Sequence, residues 1–327
     1  MEFKDFFCGK NDSGRRLNKV ASRIFESSGI SAGVFSLIRK SLVRVNDRKS
    51  TGDYRVREGD KISIAKFLFN NAEKNSFTAE NFPTERTCGK NREIPIDLKA
   101  ITLFRNEHLL ILNKPAGINV QPSKDCKFCL SDLVVEDYKN SIKTSLSFRP
   151  GPLHRIDRWT SGLVAFSQSL EGARWFTENI ESHRILKTYL GITEGNYASK
   201  TEKYVDMIEI PQIQSQKQNE GYSTVLIGNP NGKKAVTTAE FLKKMEIDGT
   251  QCNLVKFYIE TGRKHQIRAQ SSFHGHPLFG DTAYGGKKSR ENRFYLHAWK
   301  LEFPENSIGL PEEICAPCNF LDSGTNS

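Results

Sequence analysis

A polar stretch near the end of the first quarter of the 327-residue chain divides it into two parts. Residues 69–95 contain two prolines and follow neither the helical nor the strand period of apolar residues, which is typical of a linker. A chain of this length is also large enough for two domains. We therefore predict a small domain over residues 12–68, a linker over 69–95 and a larger domain over 96–327.

The small domain is predicted to contain two helices followed by a small sheet. A first helix is indicated by apolar residues spaced three and four positions apart: Leu17, Val20, Ala21, Ile24 and Phe25. Ser31 is placed to cap a second short helix whose inner face is Val34, Leu37 and Ile38. Apolar and polar residues then alternate over 43–45 and 62–64, which predicts two strands.

The positive charge of the chain is concentrated in the small domain. The whole chain carries a net charge of +10, and residues 1–65 hold 14 Lys/Arg against 8 Asp/Glu, a surplus of six. Such a surplus indicates a polyanionic partner, because bound phosphates release counterions, although a merely solvated basic surface explains it equally well. The basic residues that cluster around the helix ends and the first turn are Arg15, Arg16, Arg39, Lys40, Arg44, Arg48 and Lys49.

The remainder has the mixed pattern of an α+β domain, with a largely antiparallel mixed sheet flanked by helices. Short apolar strands are predicted near 109–112, 163–166 and 256–259, and helices over 169–184 and 263–274. No apolar run is long enough to span a bilayer, and the first residues lack the order of a signal peptide, so we expect a cytoplasmic protein. Seven irregularly spaced cysteines do not indicate a disulfide framework.

One segment, GPLHRIDRWTSGLVAF at 151–166, contains the strongest indication of chemistry. It places Asp157 on a loop just before a buried strand, a position suited to a catalytic carboxylate and equally to an ordinary turn residue. The string HRIDRWTSGLVAF resembles the HRLD-x-x-TSG-L-L signature of the RluA-type pseudouridine synthases, in which the aspartate is catalytic. Ile156 replaces the usual leucine, a conservative change.

Four further segments resemble the same family in the same order. They are ILNKPAGINVQPS (111–123), LKTYLGITEG (186–195), ETGRKHQIRAQSSFHGHPLFGDTAYGG (260–286) and RFYLHAW (293–299). Lys114, Pro115 and Gly117 match the first segment, where their role is structural. Gly191 replaces an alanine, and Gln270 stands where the family commonly has histidine. The stretch from Gly14 to Ile64 is similar to a small RNA-binding domain shared with a bacterial ribosomal protein.

The resemblance implies an enzyme that isomerises uridine in RNA to pseudouridine without a cofactor or metal. Asp157 would act as nucleophile or as electrostatic support at the sugar, paired with Arg263. Tyr189 would stack on the target base and remove the proton from carbon 5, opposite Ile267. Arg155 would enter the space left by the flipped nucleotide, and His154 and Lys187 would contact the substrate. The seven basic residues of the small domain would bind RNA.

The identity of the RNA stays open at this stage. The small domain favours a large structured target such as large-subunit ribosomal RNA, with transfer RNA as the alternative. A catalytically silent RNA-binding or assembly factor on the same fold is the alternative from another class. Two CxxC pairs, Cys126/Cys129 and Cys315/Cys318, could bind zinc together, but we expect no metal site. We expect a monomer with no membrane contact and no obligate protein partner.

Overall fold

The computed structural model describes residues 1–69, 96–123, 128–141, 145–211, 224–318 and 320. The predicted linker therefore lies outside the described residues except for Phe69. The described residues form two separate sheets, one in each predicted domain. No helix among the described residues is both long enough and apolar enough to cross a membrane.

The small domain is a four-stranded antiparallel sheet packed against two helices, in the strand order β1–β4–β2–β3. Its elements are β1 (Phe3–Phe7), α1 (Leu17–Ser27), α2 (Val34–Arg39), β2 (Val43–Val45), β3 (Arg48–Lys49) and β4 (Lys61–Ala65). The predicted inner face of α1 is buried against the sheet, where Ile62 and Ile64 are fully buried. Burial of such side chains stabilises a fold by roughly 1.5–3 kcal/mol each.

Two details of the small domain differ from the prediction. The domain begins at β1 rather than at residue 12, because Phe3–Phe7 pairs with β4 along its whole length. Ser31 is not a helix cap: α2 starts after Gly33, and no side chain caps it. The backbone of Gly33, the residue before α2, is extended, so the preceding loop ends at Gly33.

The larger domain is built on a ten-stranded mixed sheet, as the α+β prediction requires. The strands run in the order β10–β9–β11–β12–β8–β13–β7–β6–β5, with β14 paired to β13. The β13–β7 pair is parallel and the other described pairs are antiparallel. The bounds are β5 (Thr102–Arg105), β6 (Leu109–Lys114), α3 (Leu130–Ser141), β7 (Ser161–Ser167), α4 (Leu170–Glu181), β8 (Leu186–Thr193), β9 (Thr201–Glu209), β10 (Leu226–Ile227), β11 (Lys233–Ile247), β12 (Thr250–Ile259), α5 (Gln266–Phe273), β13 (Leu296–Glu302) and β14 (Glu313–Cys315).

Strands β6 and β7 are continuous apolar runs because helices cover both faces of the sheet. On one face Leu163 and Ala165 join a core with Phe176 of α4. On the other face Val164 and Phe166 pack in a cluster with residues of α3. These strands form a rigid floor, and the loop that precedes β7 is built on it.

A buried carboxylate joins the two domains. Asp12 is fully buried, and it accepts hydrogen bonds from Gly9 N, Ser145 Oγ, Leu146 N, Ser147 N and Ser147 Oγ at 2.6–3.0 Å. Arg15 Nη1 donates to the carbonyl oxygen of Ser147 at 2.7 Å. The Leu146 side chain packs against the core of the small domain. Residues 145–147 are thus held by the small domain, although they belong in sequence to the larger one.

Candidate active site

The loop of residues 152–160 folds back on the strand that follows it. Gly151 N donates to Ser167 Oγ at 3.0 Å, and Leu153 N donates to Ala165 O at 2.8 Å, so the loop runs antiparallel to β7 at its base. At its tip, Thr160 N donates to the carbonyl oxygen of Asp157 at 3.1 Å and closes a turn. This turn holds Asp157 at the edge of a cleft, in keeping with the prediction from the sequence.

Gly162 allows β7 to start directly beside β13. Its φ is +103°, and a Cβ atom at this position would lie 2.2 Å from the carbonyl oxygen of Ala298. Both the backbone conformation and the space require glycine here. The Thr160-Ser161-Gly162 segment therefore brings the loop against the centre of the sheet, next to the strands that hold the cleft walls.

A second loop, residues 115–118, is tied to the first by a buried lysine. Lys114 is fully buried, and its Nζ donates to the carbonyl oxygens of Pro115, Ile118 and Arg158 at 2.8–3.0 Å. Burial lowers the pKa of Lys114 to about 7, although the negative charge of Asp157 opposes this shift. Gly117 N also donates to Arg158 O at 2.8 Å. In the structure this segment braces the loop that holds Asp157, which is a structural role of the kind expected from the sequence.

Asp157 is paired with Arg268. The Arg268 Nη1 atom lies 3.1 Å from Asp157 Oδ2, and Arg268 also forms a two-point contact with Asp281 at 2.7 and 2.9 Å. Burial alone lowers the pKa of Arg268, but Asp281 and Asp157 outweigh it and raise that pKa. Arg268 and Asp281 are 8% and 2% exposed, whereas Asp157 is 28% exposed, so the carboxylate that reaches solvent is Asp157.

The predicted pairing of Asp157 with Arg263 is wrong. Arg263 lines the cleft and is exposed, but its Nε donates to the carbonyl oxygen of Lys234 at 3.1 Å. Its backbone N–H donates to Gln266 Oε1, which fixes the turn before α5. The motif contains two arginines, and the one inside the helix points to the carboxylates. The burial of every residue from Gln266 to Ser271, together with the nearby Asp281, is the signal that favours Arg268.

Tyr189 and Ile267 lie on the walls of the cleft. Tyr189, on β8, is 8% exposed, and Ile267, on α5, is 5% exposed. Burial raises the pKa of Tyr189, and the negative charge of Asp157 raises it further. The hydroxyl of Tyr189 is therefore held in its protonated form near neutral pH.

The cleft has a volume of about 900 Å³ and a positive lining. Six basic residues line it against three acidic residues: Arg155, Arg158, Lys187, Arg263, Lys264 and Arg268 against Asp157, Glu181 and Glu260. This balance favours an anionic ligand. A cleft of this size is large enough for a nucleotide-sized group.

The three residues expected to contact the substrate all line the cleft, in different settings. Arg155 is exposed, and its Nη1 lies 3.4 Å from Gln121 Oε1. Burial lowers the pKa of Lys187. His154 Nε2 accepts a hydrogen bond from Ala165 N at 3.1 Å, and burial lowers the His154 pKa to about 3. The neutral His154 ring thus supports the loop, and only its remaining surface is available to a ligand.

The seven basic residues of the small domain are not equivalent. Arg16, Arg39, Lys40, Arg48 and Lys49 are exposed. Arg15 is committed to the contact with Ser147, and Arg44 donates to Ser41 O while its guanidinium lies 4.4 Å from the centre of the Phe3 ring. Arg15 and Arg44 therefore have structural partners inside the protein, which the sequence did not indicate.

The described residues contain no group of three or more His, Cys, Asp or Glu side chains that could hold a metal ion. Cys126 lies outside the part of the chain that the structure describes. Cys129 is buried and donates to Asp132 Oδ2 at 3.2 Å. Cys315 is exposed at the end of β14, and Cys318 is buried.

Comparison with known proteins agrees with this geometry. Residues 108–273, just over half of the chain, match the family model described as RNA pseudouridylate synthase. The chain is 27% identical over 296 residues to ribosomal large subunit pseudouridine synthase C of Vibrio vulnificus, covering 87% of this chain and 83% of that protein. It is 26% identical to the protein of the same name from Escherichia coli K12, with 89% and 85% covered.

Two solved human structures have a similar fold. RNA Pseudouridylate Synthase Domain Containing 1 matches with a TM-score of 0.56 and 22% identity, covering 71% of this chain and 89% of that one. RNA Pseudouridylate Synthase Domain Containing 4 matches with a TM-score of 0.54 and 21% identity, covering 69% and 92%.

Proposed function

The chain belongs to the RNA pseudouridylate synthase family and is an RNA pseudouridine synthase, and we propose that it modifies large-subunit ribosomal RNA with Asp157 as its catalytic carboxylate. The observation that supports the role of Asp157 is its ion pair with the buried Arg268 at the edge of a positive cleft. Arg268 fixes Oδ2, and no described group lies within hydrogen-bonding distance of Oδ1. One oxygen is thus anchored while the other can react.

The reaction needs a carboxylate of this kind. The bond between N1 of uracil and C1′ of ribose breaks, the base turns over, and C5 joins C1′. Asp157 Oδ1 either attacks C1′ or stabilises the positive charge that develops there as the base leaves. Arg268 and Asp281 hold the carboxylate rigidly, so little reorganisation is needed in the transition state.

Tyr189 is suited to hold the base and to handle the proton of C5. Its buried ring offers a flat apolar surface, with Ile267 as the other wall. Because its pKa is raised, the hydroxyl accepts the C5 proton only as its own proton passes to a neighbouring base. Asp157, whose charge acts directly on Tyr189, is the acceptor once it has parted from the sugar.

RNA would contact both domains. The five exposed basic residues of the small domain suit phosphate groups, whose contacts carry most of the sequence-independent affinity. The exposed Arg155, beside the Asp157 turn, would fill the space left when the target nucleotide turns out of its helix. Large-subunit ribosomal RNA is favoured over transfer RNA by the names of the relatives that match most of the chain.

The test compares Asp157→Asn with Asp97→Asn, a change of an exposed aspartate outside the cleft. Pseudouridines are mapped in ribosomal and transfer RNA from cells that lack the protein and are supplied with each variant. The wild type and Asp97→Asn restore one or more sites in large-subunit RNA, whereas Asp157→Asn binds the same RNA and restores none. Restoration by Asp157→Asn excludes its catalytic role, and sites confined to transfer RNA exclude the proposed target. A silent binding factor restores no site in any form.

A further inference from the structure

His265 lies beside the oxygen of Asp157 that Arg268 leaves free. Its Nε2 atom is 3.8 Å from Asp157 Oδ1, and its Nδ1 atom is 2.9 Å from the hydroxyl of Tyr284. His265 precedes α5 in the left-handed conformation, with a φ of 54°. This conformation costs a residue with a side chain about 1 kcal/mol or more, so the surrounding contacts must hold the ring in place.

The contacts of Tyr284 and the nearby Asp157 favour a proton on Nε2 of His265. Val225 N donates to the Tyr284 hydroxyl at 2.9 Å, and a backbone N–H can only donate. The hydroxyl, which already accepts this hydrogen bond, still has its own proton to donate, and Nδ1 of His265 lies within reach as its acceptor. The neutral ring then carries its proton on Nε2, which faces a carboxylate. The opposite tautomer would direct an Nε2 lone pair at the negative charge of Asp157.

The ring of His265 is neutral at physiological pH, because burial lowers its pKa to about 4. A neutral N–H beside a reacting centre can stabilise a developing negative charge without transferring its proton. At 3.8 Å from Asp157 Oδ1 the Nε2 atom is beyond hydrogen-bonding distance, so its N–H has capacity for another acceptor. His265 lines the same cleft as Tyr189 and Ile267, where the proposed function puts the base.

Uracil offers an acceptor to such a donor at both stages of the reaction. N1 is flanked by the carbonyl at C2, and C5 is flanked by the carbonyl at C4. Turning the ring about the line through N3 and C6 exchanges N1 with C5 and O2 with O4. A donor fixed next to C1′ therefore meets O2 as N1 leaves and O4 as C5 arrives. The same two oxygens share the negative charge of the detached base.

We propose that His265, held as the Nε2–H tautomer by Tyr284, donates a hydrogen bond to O2 of the leaving uracil and then to O4 of the returning one. This inference rests on the proposed role of Asp157. It makes His265 a catalytic residue and Tyr284 a positioning residue. It also explains why the hydroxyl of Tyr284 contacts a strained histidine beside the carboxylate.

The test combines protein variants with altered substrates. Single-turnover rates at saturating RNA are measured for wild type, His265→Phe, His265→Gln and Tyr284→Phe on RNA with uridine, 2-thiouridine or 4-thiouridine at the target. Sulfur is the weaker acceptor, so each thio substitution should slow wild type about tenfold, the loss of one hydrogen bond. In His265→Phe the thio effects should fall below about twofold, because the donor is already gone. His265→Gln, which keeps an N–H group, should retain part of them.

Nitrogen NMR of the histidine rings provides a readout that does not depend on activity. Wild type should show His265 protonated at Nε2 and bare at Nδ1, and Tyr284→Phe should show a mixture of tautomers with a lower rate. Equal thio effects in folded His265→Phe and wild type would overturn the proposal, as would a proton on Nδ1. If His265→Phe does not fold, the test rests on Tyr284→Phe. A wild-type histidine spectrum together with a wild-type rate in that variant would overturn the proposal. Full activity of Asp157→Asn would instead overturn the proposed function.

Discussion

Arg268 stands between two carboxylates, and its removal affects both of them. Without it Asp281, which is 2% exposed, becomes a buried charge without its partner, at a cost of about 3–5 kcal/mol. Arg268→Lys keeps the charge but loses the flat two-point contact with Asp281. The position of Arg268 thus matters for stability and for the orientation of Asp157 together.

Arg268→Lys and Arg263→Lys form a matched pair of variants within one motif. We expect the first to lower the single-turnover rate at saturating RNA by about 10–100-fold, because misplacement of a catalytic group by an ångström has effects of this size. The second should change the rate by less than about threefold, because the exposed Arg263 side chain donates to Lys234 O rather than to Asp157, and lysine keeps its charge. Both rates are measured on the same RNA. A larger loss of rate in Arg263→Lys than in Arg268→Lys would favour the pairing of Arg263 with Asp157 that the motif suggested.

Tyr189→Phe separates stacking from proton transfer. The phenyl ring keeps the wall of the cleft, so RNA affinity should change by less than about threefold, while the rate should fall by about 10²–10⁴-fold. The measurement is single turnover on RNA with deuterium at C5 of the target uridine. An isotope effect should appear or grow in the variant if C5 proton removal has become slow. Wild-type rates without an isotope effect would leave Tyr189 as a packing residue.

Among the elements, the two loops beside the cleft depend on one buried amine. Lys114 donates to three carbonyl oxygens, two in its own loop and one at Arg158 in the loop that holds Asp157. Lys114→Met fills a similar volume and leaves the three oxygens without this donor, at about 1–3 kcal/mol each. It also removes the cost of burying the amine, which offsets part of this loss of stability.

The Lys114 amine also makes a pH-dependent contribution to stability. Its pKa is about 7 in the folded protein and 10.5 ordinarily, so between these values the unfolded chain binds the extra proton. The unfolding free energy of wild type should therefore rise relative to Lys114→Met by about 1.4 kcal/mol per pH unit as pH increases from 7 towards 10. Urea unfolding of both proteins at several pH values measures this difference. Parallel curves would mean that folding does not lower the pKa of Lys114.

Elements with a clear local pattern could be predicted from the sequence, whereas elements that depend on distant partners could not. The apolar stripe of α1 and the alternation in β2 and β4 are local, and all three formed where predicted. Strand β1 has no regular alternation, and it exists because β4, more than fifty residues away, pairs with it. The pairing of Arg268 with Asp157 depends on which residues of α5 face the cleft, and the sequence of the motif alone does not specify this.

At the scale of the whole molecule, the contact at Asp12 ties the small domain, with its exposed basic residues, to the larger domain. The partners of Asp12 in residues 145–147 lie more than 130 positions along the chain, so nothing near Asp12 in the sequence indicated that it would be buried. The same residues lead into Gly151, which is independently anchored to β7. The placement of the small domain therefore depends on the contact at Asp12, whereas the geometry of the loop that holds Asp157 depends on the contact of Gly151 with β7.

Replacing Asp12 should release the small domain without disabling the chemistry. Asp12→Ala removes the acceptor of five hydrogen bonds, leaving buried donors of residues 145–147 unpaired. The radius of gyration in X-ray scattering should increase. The half-saturating concentration of a large ribosomal RNA fragment should rise about tenfold, because tethered sites lose their fixed geometry.

The maximal rate of Asp12→Ala on a short stem-loop should stay within about twofold of wild type, because a mutation far from the cleft with no shared partner acts independently of it. Asp53→Asn, at an exposed aspartate of the same domain, is the matched control and should change neither scattering nor affinity. A chain shortened to begin at Ile96 is less informative, because the truncation also removes the core of the small domain, against which Leu146 packs. If Asp12→Ala scatters like wild type and loses its rate on the stem-loop, the buried carboxylate supports the active site rather than the position of the small domain.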